Sequence, residues 1–214
     1  MMNKTKIALL FILAVVIIVT CINPIFPHEQ YLQHIGTILL LIPLVMDLRK
    51  NQMPKAAFIG LVLFTLLHVI GARYIYSFVP YKEWAAAIGL GDISLFQSSR
   101  NHYDRFVHFA FGVLLFPYFF YVCKRYFHQK PVVAIFMAWL IIQTGSLIYE
   151  LFEWALTIFM SPEDADSYNG QQGDMWDAQK DMALAMLGST LSSVFVLCQY
   201  LFPKTKAKQN EKDT

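Results

Sequence analysis

The chain has 214 residues, 57% hydrophobic and 15% charged, with a formal net charge of +2 and a mean hydropathy of +0.46. Ordinary soluble domains run at roughly 45–50% apolar and about 25% charged, and here the apolar residues fall in long runs between short polar loops. Composition therefore excludes a soluble domain, and so small a net charge, distributed along the loops, excludes a nucleic-acid-binding surface.

Roughly 20 apolar residues cross the hydrocarbon core of a bilayer. Six runs qualify, at about 7–22, 34–46 with its flanks, 56–76, 104–122, 131–160 and 181–202. The first has the Lys4/Lys6 flank of a signal peptide but no small-x-small cleavage site before Asn23-Pro24, so an uncleaved helix is expected. The second is short and carries Pro43. Membrane helices tolerate proline when neighbours re-satisfy the backbone, and the charge pattern requires a crossing there. The longest connection, 77–103, contains Tyr81-Lys82-Glu83-Trp84, which suits an interfacial turn or short helix. The connection 161–173 is acidic, and 204–214 reads as a charged, disordered cytoplasmic tail behind one six-helix domain, 1–203. The predicted fold is an all-α polytopic bundle of about six transmembrane helices.

Lys and Arg in short loops mark the cytoplasmic side. With the N-terminus inside, twelve lie on cytoplasmic segments: Lys4, Lys6, Arg49, Lys50, Lys55, Lys124, Arg125, Lys130, Lys204, Lys206, Lys208 and Lys212. Five lie outside: Arg73, Lys82, Arg100, Arg105 and Lys180. Both termini are expected in the cytoplasm. Cys21 then falls at an outer end and Cys123 and Cys198 at inner ends, too far apart for Cys21 to pair with either, while the inner two face a reducing compartment.

In this frame the ionisable residues of the spans gather in the outer leaflet, and the inner leaflet receives nothing comparable. His68 ends span three, Asp104, Arg105 and His108 open span four, Glu150 and Glu153 sit late in span five, and Asp174, Asp177 and Asp181 precede and open span six. Asp104/His108 and Asp177/Asp181 are four apart and Glu150/Glu153 three apart, so each pair shares a helix face. Such groups are costly at the edge of hydrocarbon. Plainer roles compete: Asp174 and Asp177 as an N-cap and its acidic third residue, His68 as a packing histidine, Arg105 as a partner for a carboxylate or headgroup. Glu150 and Glu153 are harder to explain so, because apolar sequence flanks them on both sides and two carboxylates on one turn repel unless a cation, proton or basic partner holds them.

Carboxylates with histidine are a ligand set for a divalent metal. The candidate metal ligands are Asp104, His108 and Asp181, the candidate catalytic carboxylates Glu150, Glu153 and Asp177, and the candidate ligand contacts His68, Arg105 and Gln179. The spacing matches no defined metal motif such as His-Glu-x-x-His. The same groups without metal could perform acid–base work, pass protons or cations, or receive a lipid headgroup.

Four segments carry a family likeness. They are His68-x2-Gly71-x2-Tyr74-x-Tyr76; Asn101-His102-Tyr103-Asp104-Arg105-x2-His108-Phe109; Tyr149-Glu150-x2-Glu153-Trp154; and Gln172-Gly173-Asp174-x-Trp176-Asp177-x-Gln179-x-Asp181-Met182. Together they resemble the YjdF-type bacterial inner membrane proteins, a multi-pass family without an established activity; Ala178 stands where threonine would be as readily expected. A weaker likeness is to VanZ-type membrane proteins, linked to glycopeptide resistance. It rests on Asp104-x3-His108-Phe109, Glu150 and Asp177-x3-Asp181 with Gly188 beyond, and departs at Asp181, for asparagine, and at Leu184, for glycine. The resemblance implies a bacterial inner membrane location. The expected role is an envelope-facing site that binds or acts on a lipid-linked or small amphipathic ligand, with a divalent metal as the candidate cofactor. As an enzyme the protein would be a hydrolase or transferase. A non-catalytic assembly or stability factor and a small transporter or ion-coupled permease remain open.

Overall fold

The computed structural model describes residues 3–93, 98–159 and 168–202; Met160, the connection 161–167 and the expected tail 204–214 lie outside them. Among the described residues there are seven helices and no strand: α1 (Lys4–Cys21), α2 (Pro27–Lys50), α3 (Lys55–Arg73), α4 (Tyr81–Ala87), α5 (Tyr103–Arg125), α6 (Pro131–Phe159) and α7 (Asp177–Leu201). All but α4 are long and apolar enough to cross a membrane. The short α4 holds the Tyr81–Trp84 segment expected to be interfacial. Six crossings return Leu201 to the end of the bundle where Lys4 begins; the opposite end is the distal end.

The weakest expected span is a full helix. α2 starts at Pro27, whose missing N–H costs nothing at the first helical position, and takes in residues read from the sequence as loop. Some of the polar side chains of its first half find partners. Gln30 donates Nε2 to Thr20 O at 2.9 Å, and His34 Nδ1 meets Thr37 Oγ1 at 3.0 Å. Arg73, at the end of α3, donates to Thr20 O and Ile22 O, at 2.6 and 3.0 Å, and so satisfies the last carbonyls of α1.

The expectation that the inner end carries no comparable charge is corrected by Asp47. This buried carboxylate accepts the N–H groups of Gln52 (2.9 Å) and Met53 (2.7 Å) through Oδ1, closing the turn into α3. Its Oδ2 takes Lys6 Nζ at 2.5 Å, and Lys6 also donates to Met53 O at 2.8 Å. Lys6 was read from the sequence only as a topological marker; it is 5% exposed and pins α1 to the α2–α3 turn.

α3 is the most enclosed helix, packed on α1, α2 and α5, while α5 also packs on α6 and α7. The α5–α7 crossing is close because two glycines meet it. A Cβ on Gly112 would run into the backbone of Ala185 and Ser189, and one on Gly188 into Phe109 O, the small-residue contact typical of membrane helices. α6 joins α7 through Gln143 Nε2 to Ser189 Oγ, 2.8 Å, and Trp139 Nε1 to Thr190 Oγ1, 3.0 Å. α2 packs on α3 and touches α6 marginally at most, and the gap between them opens a cavity described below. The three cysteines are free.

Candidate functional site

The distal end is assembled by three polar segments that clasp one another. Asn101 and Gln172 pair reciprocally: Asn101 N donates to Gln172 Oε1 at 2.9 Å, and Gln172 Nε2 returns to Asn101 O at 3.1 Å. Asn101 Oδ1 also accepts Tyr103 N–H, which turns the chain into α5. Arg100 donates to Gly170 O, Gln171 O and Asp177 Oδ1. Arg105 donates to Asp174 Oδ2 (2.5 Å) and to the same Asp177 Oδ1 (2.9 Å).

Asp177 is thus the anchor for two guanidiniums from the other side of the cluster, at 2.5 and 2.9 Å. The capping expectation is half met. Asp174 Oδ1 accepts Trp176 N–H and its carbonyl accepts Asp177 N–H, but the cap residue Trp176 makes no side-chain cap, and Asp177 opens α7 rather than filling its third position. The Lys180 ammonium beside Asp174, with the Trp176 N–H and Arg105, holds the Asp174 carboxyl well below the usual carboxylate range.

His68 is braced. Gln33 O can only accept, so His68 Nε2, 3.0 Å away, carries the proton, and Nδ1 accepts from the Tyr76 hydroxyl at 2.6 Å. Burial pushes the Tyr76 phenol well up, which keeps it a donor. Its placement explains the spacing of the motif. Ile75 and Tyr76 both take left-handed backbone angles, φ 45° and 52°, unfavourable for side chains of their size, and these fold Tyr76 back under α3. The ring then lies where a side chain on residue 71 would be: a Cβ there would stand 2.7 Å from Tyr76 Cε1. Any side chain at position 71 would have to push the Tyr76 ring aside.

At the centre, Asp104, His108 and Asp181 bring one ligand atom each within 4.8 Å of one another, all three residues buried. His108 Nε2 lies 3.8 Å from Asp104 Oδ1 and 3.3 Å from Glu150 Oε1. Ligand bonds of about 2.1 Å put the corners of a tetrahedral site about 3.4 Å apart, so small side-chain shifts would close the triad on a metal ion. Glu153 is 7% exposed, one turn on from Glu150.

Two cavities flank this cluster. The larger, 560 Å³, lies between α2, α3, α5 and α6; its wall is apolar along Leu40, Pro43, Phe64, Phe111 and Tyr118, and its polar end is His68, Tyr76, Asp104 and His108. The smaller, 260 Å³, lies between α6 and α7 and is lined by Glu150, Glu153, Asp177, Gln179 and Asp181 with Asn169.

A family model described as a predicted membrane protein (DUF2238) matches residues 5–200. The chain belongs to that family. It is 28% identical over 178 residues, 79% of each chain, to the inner membrane protein YjdF of Escherichia coli (strain K12). No solved structure matches. The DUF2238 match covers all six spanning helices and all four motif segments. These matches lend no support to the VanZ likeness.

Within this DUF2238 chain all nine candidate residues lie at the distal end, in four settings, Glu153 being buried one turn beyond Glu150. Asp104, His108 and Asp181 form the ligand triad, with Glu150 against the histidine. Arg105 and Asp177 belong to the guanidinium clasp, and His68 has both ring nitrogens engaged inside the fold. Gln179 is exposed at the smaller cavity. Sequence reading missed Arg100, Asn169 and the Tyr76 hydroxyl as parts of the site. Arg100 and Tyr76 lie beyond helix ends, and Asn169 lies in a connection read only as acidic, so no periodicity marks them.

Proposed function

We propose that the distal cluster is a site for a lipid-linked or small amphipathic ligand, with a divalent metal held by Asp104, His108 and Asp181. One observation carries this reading: a 560 Å³ cavity, apolar along its length, ends on two members of the only tight ligand triad found among the described residues. Ligand sites are typically concave and apolar, with a few convergent polar groups. The gap between α2 and α6 would admit a chain from the bilayer, leaving its head at Asp104 and His108. A metal there would polarise an oxygen or activate water. Glu150, against His108, would then handle the proton, with Glu153 behind it, while Asp177 would orient the cluster through its two arginines. The reaction class this set suits is hydrolysis or group transfer. The excess of Lys and Arg in the loops at the Lys4 end supports termini in the cytoplasm and a distal end toward the periplasm.

Metal content of detergent-purified protein tests the reading. Wild type is expected to carry a transition metal near one per chain, lost in His108→Ala and Asp181→Asn at unchanged folding. Metal-free wild type from a chelator-free preparation would remove the metal from the reading.

A second reading, a non-catalytic assembly or stability factor, draws on the engagement of Asp177 and His68 inside the fold. It differs in predicting that cluster variants lower abundance rather than function at constant abundance. A permease is less favoured, since Gln143, a polar group midway along α6, is engaged with Ser189 and Trp139 O.

A further inference from the structure

The smaller cavity has a chemistry of its own. Asn169 Oδ1, Asp177 Oδ2, Asp181 Oδ1 and Glu150 Oε1 are buried without a hydrogen-bond partner, and all four residues line this 260 Å³ space. They are 7, 3, 2 and 7% exposed. Glu150 Oε1 lies 3.3 Å from His108 but out of alignment for a bond. An unpaired buried acceptor is costly, and a charged one more so. One member, Asn169, is neutral, so repulsion among carboxylates does not by itself account for the set.

Charge points the same way. Asp104, Glu150, Glu153, Asp177 and Asp181 are buried together, and the guanidiniums of Arg100 and Arg105 both converge on Asp177 Oδ1. The unpaired oxygens therefore sit on residues of the cavity wall, and neither arginine bonds to any of them. They form no triad as tight as Asp104–His108–Asp181, so they suit a bare metal poorly. The rest of the wall is Leu147, Leu151, Met182 and Trp154, which suits carbon.

We propose that this cavity binds a primary ammonium group on a small carbon carrier, its three N–H groups shared among Asn169, Asp177, Asp181 and Glu150. An ammonium offers three donors and no acceptor, the complement of this wall. The site shares Asp181 with the proposed metal triad, and Glu150 and Asp177 with its surroundings, but does not need the metal. The amine could be a free solute or a lipid headgroup, and the experiment separates these sources.

The test is thermal unfolding of the purified full chain in nanodiscs of phosphatidylglycerol, titrated with ethanolamine hydrochloride. A saturable rise in Tm is expected, not reproduced by tetramethylammonium or calcium chloride at equal ionic strength. Discs containing phosphatidylethanolamine would show the rise without added amine if the headgroup is the source, and only with it if the source is soluble. The midpoint should weaken about tenfold or more in Asn169→Leu, the scale of one charge-assisted hydrogen bond, and be retained in Asn169→Asp. Chelator-treated wild type should keep the response, so the proposal does not depend on the metal. No saturable rise with either amine source, an equal rise with tetramethylammonium or calcium, or an unchanged midpoint in Asn169→Leu would overturn it.

Discussion

Asp177 Oδ1 receives two guanidiniums from the segment before and within α5, and its side chain is 4% exposed. Removing one partner of a buried ion pair costs about 3–5 kcal/mol, because the remaining charge is left desolvated. Asp177→Asn is accordingly expected to lower stability by that order in thermal unfolding, while Asp174→Asn, at the half-exposed rim, should cost much less. The rim carries the pH dependence. Asp174 is depressed in the folded state by Lys180, the Trp176 N–H and Arg105, so its contribution is fully present above the usual carboxylate pKa of about 3.9 and is lost as pH falls through the lower folded value. Wild type and Asp174→Asn should therefore differ in Tm at pH 7 and converge as pH drops below about 4; a constant gap would remove this role. The site triad was legible in the sequence because Asp104 and His108 are one turn apart and Asp181 opens a later span. Asn169 and Arg100 were not, since their partners are set by how two connections fold on each other.

At the scale of elements, hydropathy showed where the spans lie but not how far they reach. α2 runs beyond its apolar run, where Gln30 reaches Thr20 O of α1 and Gln33 O meets His68 of α3, and no single-segment property reports those contacts. The glycines are a second case. Gly71 and Gly188 stand out in the sequence only as motif letters and Gly112 not at all, yet each lies where another part of the chain passes too closely for a side chain. Gly188→Leu should force α7 off α5 and sharply reduce the yield of folded protein. Gly71→Ala should displace Tyr76 from His68, with the cost of about 1–3 kcal/mol usual for overpacking. If Gly71→Ala and Tyr76→Phe melted as wild type, the brace would have no energetic weight.

For the molecule as a whole, an even number of crossings leaves both termini on one side, and the proposal that this side is the cytoplasm rests on the loop charges. A fluorescent protein fused after residue 202 is expected to fluoresce, and alkaline phosphatase fused there to be inactive, with the pattern reversed for fusions in the connection between α3 and α5. The opposite pattern would invert the orientation and turn the distal site toward the cytoplasm.

The Lys6–Asp47 pair has a consequence for how the chain is made. Lys6 leaves the ribosome 41 positions ahead of Asp47, roughly 2–8 s at ordinary synthesis rates. During that interval the ammonium has neither its carboxylate nor Met53 O, and it stays at the watery boundary by extending its stem. α1 thus begins as a loosely held span whose Lys6 resists passage, and it docks only when the α2–α3 turn arrives. Asp47 is the latch that converts an insertion signal into a tertiary contact, so Asp47→Asn should leave a chain correctly threaded but with its first helix undocked.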